Sequence, residues 1–299
     1  MTISFENRVA IVTGAGGGLG RAYALELARR GAKVVVNDVG ADIDGTGHSD
    51  AARKVVEEIE AAGGTAMANG ASVTDFAQVE AMVAAAKEKW GGVHILINNA
   101  GILRDKSFAK MSMDDFRLVV DVHLIGSANC TKAVWETMRE QNYGRILMTS
   151  SSTGLYGNFG QANYGAAKLG LAGFAKTLQL EGARNGIRVN TLAPTAATRM
   201  TEDIFPPQML SAFAPENVVP AALFLVSEDA PTNAIVGAGA GVVQAAYVTL
   251  TPGVALPEGR RTPEEVAAQW EKICSREGEI VPQSGAEQAM LILKTLQGG

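Results

Sequence analysis

The chain is expected to fold as an α/β protein: a doubly wound parallel sheet forming a single domain, with a helical C-terminal extension. Three observations carry this expectation. Short apolar runs alternate with helical patterns from residue 8 to residue 193. A glycine-rich turn, Gly14 to Gly20, follows the first run and opens the first helical pattern. Residues capable of chemistry recur at the carboxyl ends of the runs, which is where open α/β sheets bind ligands.

Taken in order, the pattern reads strand 8–13, helix 18–30, strand 33–38, helix 49–62, strand 65–69, helix 75–89 and strand 93–98. Helix 113–139, strand 144–151, helix 162–184 and strand 187–193 follow. Strands joined through helices run parallel, and the helices cover both faces of the sheet. Ala246-Tyr247-Val248-Thr249-Leu250 reads as the last strand, so the first domain is expected to span 1–250 and the extension 251–299.

Strand, glycine loop and helix in succession are the context of a Rossmann-like dinucleotide site. Val9 to Thr13 is the strand, and Gly14-Ala15-Gly16-Gly17-Gly18-Leu19-Gly20 is the loop. Glycines let the backbone approach a pyrophosphate, and the helix N-terminus presents free N–H groups to it. An ordinary tight turn is the alternative. The second strand ends in Asn37-Asp38. A carboxylate about twenty positions beyond the loop reads the adenosine ribose hydroxyls and repels a 2′-phosphate. Asp38 therefore argues for NAD over NADP, with Arg21 and Lys33 as nearby positive charges that soften the preference. A strand-end turn residue is the other reading of Asp38.

Tyr164 and Lys168 stand four positions apart, with Ser151 upstream after the apolar run Arg145 to Thr149. On a helix, i and i+4 share a face. A free tyrosine, with a pKa of about 10, is a poor base at neutral pH. A neighbouring ammonium favours the phenolate. A hydroxyl at the end of a strand is placed to bond a substrate oxygen. Most isolated Y-x-x-x-K pairs are surface accidents, so the glycine loop is what gives this one weight.

Together these motifs resemble the short-chain dehydrogenase/reductase family over roughly residues 8 to 250. Thr13-Gly14-Ala15-Gly16-Gly17-Gly18-Leu19-Gly20 matches its TGxxxGxG, and Asn98-Asn99-Ala100-Gly101 its NNAG. Ser151, Tyr164 and Lys168 match its catalytic residues. Pro194 falls where the family has a proline near the nicotinamide, and Thr198 where it has a hydroxyl that holds the carboxamide. Asn99 to Asp105, Asn142 to Arg145, Gly154 to Gly170, the long link Gly40 to Asp50 and Trp270 to Cys274 narrow the resemblance. They look like the dehydrogenase part of the peroxisomal multifunctional β-oxidation enzymes, some of which carry 17β-hydroxysteroid dehydrogenase activity.

The resemblance implies oxidation of (3R)-3-hydroxyacyl-CoA to 3-ketoacyl-CoA with NAD as cofactor. Ser151 would orient the substrate, Tyr164 would take its proton, and Lys168 would lower the pKa of Tyr164 and hold the nicotinamide ribose. Thr13, Gly14, Gly18, Leu19, Gly20, Asp38, Ser72, Val73, Asn99, Ala100, Gly101, Tyr164, Lys168, Pro194 and Thr198 would hold NAD. It also implies a homodimer or homotetramer built on helices 113–139 and 162–184. With no hydratase domain expected before Gly299, a separate hydratase would supply substrate.

Two positions depart from the family. His123 stands where an asparagine is common; it either keeps that residue's backbone role in a water-linked proton exit or is a satisfied core histidine. Ser72 stands where an aspartate often contacts adenine, so adenine binding would rest more on Val73 and apolar walls.

Composition narrows the alternatives. The 299 residues are 47% hydrophobic with net charge −5, and no basic stripe suggests nucleic acid. Cys130 and Cys274 are too few for a disulfide scaffold. No apolar stretch reaches the roughly 20 residues of a membrane span. The N-terminus lacks the regions of a signal peptide, and Gln297-Gly298-Gly299 is not a peroxisomal address. A cytoplasmic enzyme without a metal site is the expectation.

Residues 195–214 include Thr198, Met200, Ile204, Phe205, Pro206, Pro207, Met209 and Phe213. They read either as a substrate lid or as a packed connector. Thr262-Pro263-Glu264-Glu265 and Ser284-Gly285-Ala286-Glu287 are capping boxes for two tail helices with apolar faces to bury. Three other functions stay open: a hydroxysteroid dehydrogenase, an NADPH-dependent 3-ketoacyl reductase, and a non-catalytic NAD sensor or scaffold.

Overall fold

The structure, a computed structural model, describes residues 2–42, 44–45, 49–198 and 210–297. It contains two compact units, 1–245 and 246–299. The first unit holds strands β1 (Val9–Thr13), β2 (Lys33–Asn37), β3 (Thr65–Asn69), β4 (Ile95–Asn98), β5 (Gly144–Thr149), β6 (Ile187–Pro194) and β7 (Ile235–Gly239). Strand β8 (Val242–Ala246) follows. The sheet order is β3-β2-β1-β4-β5-β6-β7-β8, and the pairs from β3 to β7 are parallel. The order reverses between β1 and β4, which opens a crevice at their carboxyl ends. This is the Rossmann-like doubly wound architecture.

Period-two alternation decides what each strand buries. In β1, Ala10 and Val12 join the core beneath helices α1 (Gly18–Arg29) and α2 (Ala51–Ala61). Val9 and Ile11 join the opposite core with α3 (Phe76–Trp90). Being buried on both faces explains why these strands read as unbroken apolar runs rather than as alternating ones.

The expected helix 113–139 is interrupted. It comprises α4 (Met113–Val120), a π-helical turn (Asp121–Ile125) and α5 (Gly126–Gln141). From the first turn of α5 the Ser127 hydroxyl donates back to the His123 carbonyl at 2.6 Å. A short helix α6 (Ser152–Tyr156) precedes α7 (Ala162–Gly182), and α8 (Val219–Leu225) packs into the core of α1. Neither α6 nor α8 was expected from the pattern: α6 is one turn long, and α8 has a proline in its first turn.

The strand expected over 246–250 does not form as one. Strands β7 and β8 end the sheet instead, joined by Ala240 (φ 49°) and Gly241 (φ 77°). Two positive-φ residues make the tight turn of an antiparallel hairpin. Val242 and Val243 lie on this edge, 57% and 60% exposed, so no amphipathic alternation marks the strand. Tyr247 and Val248 are exposed as well, and only Leu250 bridges, to Ile280.

In the second unit, α9 (Pro263–Ala268) is capped by the Thr262 side chain, which accepts from the Glu265 N–H. Helices α10 (Trp270–Ile273) and α11 (Gly285–Gln297) follow. At the start of α11 the Glu287 carboxylate accepts from the Gln283 N–H. The apolar residues Trp270, Met290 and Leu293 are more than half exposed, not buried as expected. Of the proposed lid, Met200, Ile204, Phe205, Pro206, Pro207 and Met209 lie outside the described residues, and the Ala197 N–H donates to the Phe213 carbonyl across the segment. Among the described residues, no helix is long and apolar enough to cross a membrane.

Candidate active site

The site begins where β5 ends. Ser151 caps α6, and its Oγ accepts the Thr153 N–H at 3.1 Å. That contact fills a lone pair and leaves the serine proton free to donate. Tyr164 and Lys168 lie one turn apart on α7, with the Lys168 ammonium 5.4 Å from the Tyr164 ring centre. Helix α7 is held against β5 by two bonds: Lys168 Nζ donates to the Thr149 carbonyl, and Ser150 Oγ donates to the Lys168 carbonyl. Gly154 makes the close approach possible, because a Cβ there would stand 2.7 Å from Lys168 Cβ. The Ser151 hydroxyl stands beside the Tyr164 phenol, close enough to lower its proton affinity. The structure thus brings Ser151, Tyr164 and Lys168 to one place.

Burial dominates the proton affinities. It pushes the Tyr164 phenol up to about 12, opposed by the Ser151 hydroxyl and reinforced by the charge of Asp105. It pushes the Lys168 amine down to about 7. The expected lowering of Tyr164 beside Lys168 is thus not found: desolvation of the phenol sets the direction instead. Each charged form alone is penalised in a dry site, whereas a phenolate facing an ammonium is mutually compensated.

Beside them, at the carboxyl ends of β1, β2 and β4, lies a cavity of about 320 Å³. Gly14, Gly17, Gly18 and Leu19 line one side, Asp38, Ser72 and Val73 another, and Asn99, Ala100, Gly101 and Thr198 the rest. Glycine is forced at Gly14, where φ is +63° and a Cβ would stand 2.7 Å from Ala100 Cα. Thr13 stands behind the wall. Its Oγ1 accepts the N–H groups of Asn99 and Ala100, each at 3.0 Å, and so binds the end of β1 to the end of β4. Gly20 also packs behind it, since a Cβ there would meet the Gly14 carbonyl at 2.2 Å. Pro194 closes β6 opposite Ala238.

The Asp38 carboxylate accepts the Gly16 N–H at 2.8 Å and the Gly40 N–H at 2.7 Å, which fixes it at the cavity edge. Arg21 is engaged with Glu58. Lys33 begins β2, at the end of the strand away from Asp38. Neither cation is placed to offset the carboxylate. Ser72 Oγ pairs with Thr74 Oγ1 at 2.8 Å, and its N–H donates to Gln78. A backbone cradle without side chains beside a fixed carboxylate fits a dinucleotide: the N–H groups suit a pyrophosphate and the carboxylate suits ribose hydroxyls.

The family model for short chain dehydrogenases matches residues 8–208. The chain belongs to this family. It is 49% identical over 295 residues to peroxisomal multifunctional enzyme A of Dictyostelium discoideum, covering 98% of this chain and 66% of the relative. Full-length peroxisomal multifunctional enzyme type 2 of Drosophila melanogaster superposes with a TM-score of 0.84 at 39% identity, covering 99% of this chain and 50% of that one. The chain therefore spans half to two thirds of the length of these relatives. A 7α-hydroxysteroid dehydrogenase solved with NADH and 7-oxoglycochenodeoxycholic acid matches with a TM-score of 0.72 at 30% identity, covering 81% and 96%. The protein is an oxidoreductase that uses a nicotinamide cofactor.

In this short-chain dehydrogenase, His123 sits in the π-helical turn with its ring edge-on to Tyr164, centres 5.1 Å apart. Its Nε2 lies 2.8 Å from the Ile102 carbonyl, while its Nδ1 is buried without a hydrogen-bond partner. Burial and the charge of Lys168 hold the imidazole well below its ordinary proton affinity, so it is neutral. A Cβ at Gly101 would stand 2.2 Å from the ring, and this requires glycine there.

Other polar residues complete the site without having been singled out in the sequence. They are Thr149, Ser150, Thr153 and Gln161, together with Asp105, whose carboxylate accepts the Gln161 amide at 2.6 Å. Asp105 and Gln161 lie within the stretches that carry the family resemblance, and Thr149 ends the apolar run before Ser151, but none was singled out for a role. The others are common residues at strand and helix ends.

Proposed function

We propose that this chain oxidises a secondary alcohol to a ketone with NAD, and that its substrate is a (3R)-3-hydroxyacyl-CoA in the β-oxidation of a fatty or steroid side chain. The juxtaposition of Ser151, Tyr164 and Lys168 beside a cavity edged by Asp38 carries the reading. Gly14 to Gly20 would hold the pyrophosphate, and the Asp38 carboxylate would accept from the ribose hydroxyls. The nicotinamide, when bound, supplies the hydride acceptor.

The chain's own residues manage the proton. Ser151 donates to the substrate oxygen and orients it. Tyr164 Oη takes the hydroxyl proton as the carbinol hydrogen departs. Lys168, held by the Thr149 carbonyl, stays protonated when the phenolate forms and stabilises it. His123, whose backbone carbonyl accepts from Ser127 Oγ and whose Nδ1 is buried without a partner, would support a water-linked exit for that proton.

Location in a reducing compartment and self-association through α4, α5 and α7 belong to the same proposal. The likeness to a hydroxysteroid dehydrogenase favours a second reading, a steroid alcohol at the same site. Formation of NADH is measured with (3R)- and (3S)-3-hydroxybutyryl-CoA and a hydroxysteroid, with NAD and NADP compared. Turnover of the (3R) thioester with NAD supports the proposal. Turnover of the steroid alone replaces the substrate, and a preference for NADP overturns the role of Asp38.

A further inference from the structure

A chain of hydrogen bonds connects a carboxylate outside the catalytic set to the catalytic serine. Asp105 Oδ2 accepts from Gln161 Nε2 at 2.6 Å. Gln161 Oε1 accepts from Thr153 Oγ1 at 2.9 Å and from Asn158 Nδ2 at 3.1 Å. The Thr153 N–H donates to Ser151 Oγ at 3.1 Å. Two further bonds clamp the same segments: Lys106 N–H to the Gly160 carbonyl at 2.9 Å, and Asn163 Nδ2 to the Arg104 carbonyl at 3.1 Å. Asn163 Oδ1 in turn accepts the Tyr164 N–H at 2.8 Å.

The chemistry gives this chain a direction. An ionised carboxylate only accepts, so the Gln161 amide must present its NH₂ to Asp105 and its oxygen to Thr153. The Thr153 hydroxyl must then donate to Gln161, which fixes its rotamer and with it the first turn of α6. The Thr153 N–H occupies a lone pair of Ser151. We propose that Asp105 is a positioning residue of the active site: through Gln161 and Thr153 its carboxylate fixes the direction in which the Ser151 hydroxyl points. This rests on the reading of Ser151 and Tyr164 as the reacting pair.

The carboxylate has a second effect. Around Tyr164 stand Lys168 on its own helix, His123 from the π-helical turn and Asp105 from the segment after β4. The charge of Asp105 opposes the phenolate. Its flanking cations are turned elsewhere, with Arg104 and Lys106 lying 3.6 and 3.3 Å from Asp115. Asp105 thus couples the geometry of Ser151 to the proton affinity of Tyr164.

The test is a double-mutant cycle on the full chain, with kcat, KM and pH profile measured for NAD-linked oxidation of (3R)-3-hydroxybutyryl-CoA. Asp105→Asn removes the charge and lets the Gln161 amide flip; kcat is expected to fall about tenfold with little change in KM. Gln161→Glu sets two carboxylates against each other, and a loss of about a hundredfold is expected. The combination Asp105→Asn with Gln161→Glu restores one donor facing one acceptor, and most of the loss from Gln161→Glu is expected to return.

Removing the charge also shifts the midpoint of the kcat/KM profile to lower pH, which a merely structural role would leave in place. Thermal melts confirm that each variant folds. Single variants within twofold of the native chain, or a double variant no better than Gln161→Glu alone, overturn the proposal. If the native chain oxidises none of the alcohols, the substrate reading fails and the inference is judged by tyrosinate absorbance. Subtracting each Tyr164→Phe control, the Tyr164 midpoint must fall in Asp105→Asn; an unmoved midpoint overturns it.

Discussion

The two halves of the crevice are built on opposite principles. The half proposed to hold the nucleotide, at the ends of β1 and β2, works by omission: glycines leave out side chains, so that backbone and one fixed carboxylate face the cavity. The half proposed to be catalytic, at the end of β5 and along α7, works by burial: Lys168 and His123 are buried and Tyr164 is half-buried, and desolvation shifts the proton affinity of all three. One half therefore loses function through added atoms, and the other through removed atoms or altered charge.

The sharpest test of the burial half is Tyr164→Phe, which keeps the ring and its contact with His123. A loss of about a thousandfold in kcat is expected, with cofactor affinity retained; near-native turnover would break the comparison. In the other half, Gly20→Val would drive side-chain atoms into the Gly14 carbonyl. Denaturant titration should show a loss of about 3 kcal/mol together with weakened NAD binding.

Lys168→Met separates function from stability. The folded pKa of the amine, about 7, lies below its unfolded value. The unfolded chain therefore binds more protons between those values, and stability rises with pH across that window. Replacing the amine with an apolar side chain of similar length removes this penalty. At neutral pH the variant is expected to be more stable by about 2 kcal/mol while losing turnover; a less stable variant would show that the bond to Thr149 outweighs burial. The smallest effect is expected from Asp38→Asn, which should shift the preference for NAD over NADP by about tenfold in competition kinetics.

The halves also differed in how much the sequence disclosed. The glycine loop could be read because omission leaves a mark: glycines cluster where the chain would otherwise avoid them, directly after an apolar run. Asp38 was legible for a related reason, since a strand boundary fixed its place. The Tyr164–Lys168 pair was legible through helical spacing, and Ser151 through the strand before it. The reversal in their electrostatics was not legible, because desolvation depends on what packs above a side chain and not on its sequence neighbours. Nor was the Asp105–Gln161–Thr153 chain, whose first two members are 56 residues apart and carry no periodic signal. The edge strand β8 was missed because its valines face solvent, and a neighbouring apolar run, Ala246 to Leu250, resembled a strand more closely.

The π-helical turn at Asp121–Ile125 has a consequence for helical phase. Each residue advances a helix by about 100°, so one surplus residue in a turn rotates everything after it by that angle. Helices α4 and α5 share an axis but not a face register. A wheel drawn through both at about 100° per residue sets α5's buried residues, Cys130, Val134 and Met138, roughly 20°, 60° and 100° from Val119, and the surplus residue turns all three by about 100° from those positions. The surplus residue lets one continuous rod serve two differently oriented neighbours. A designer who straightened it to improve helicity would turn His123 away from Tyr164 while leaving the composition of the helix unchanged.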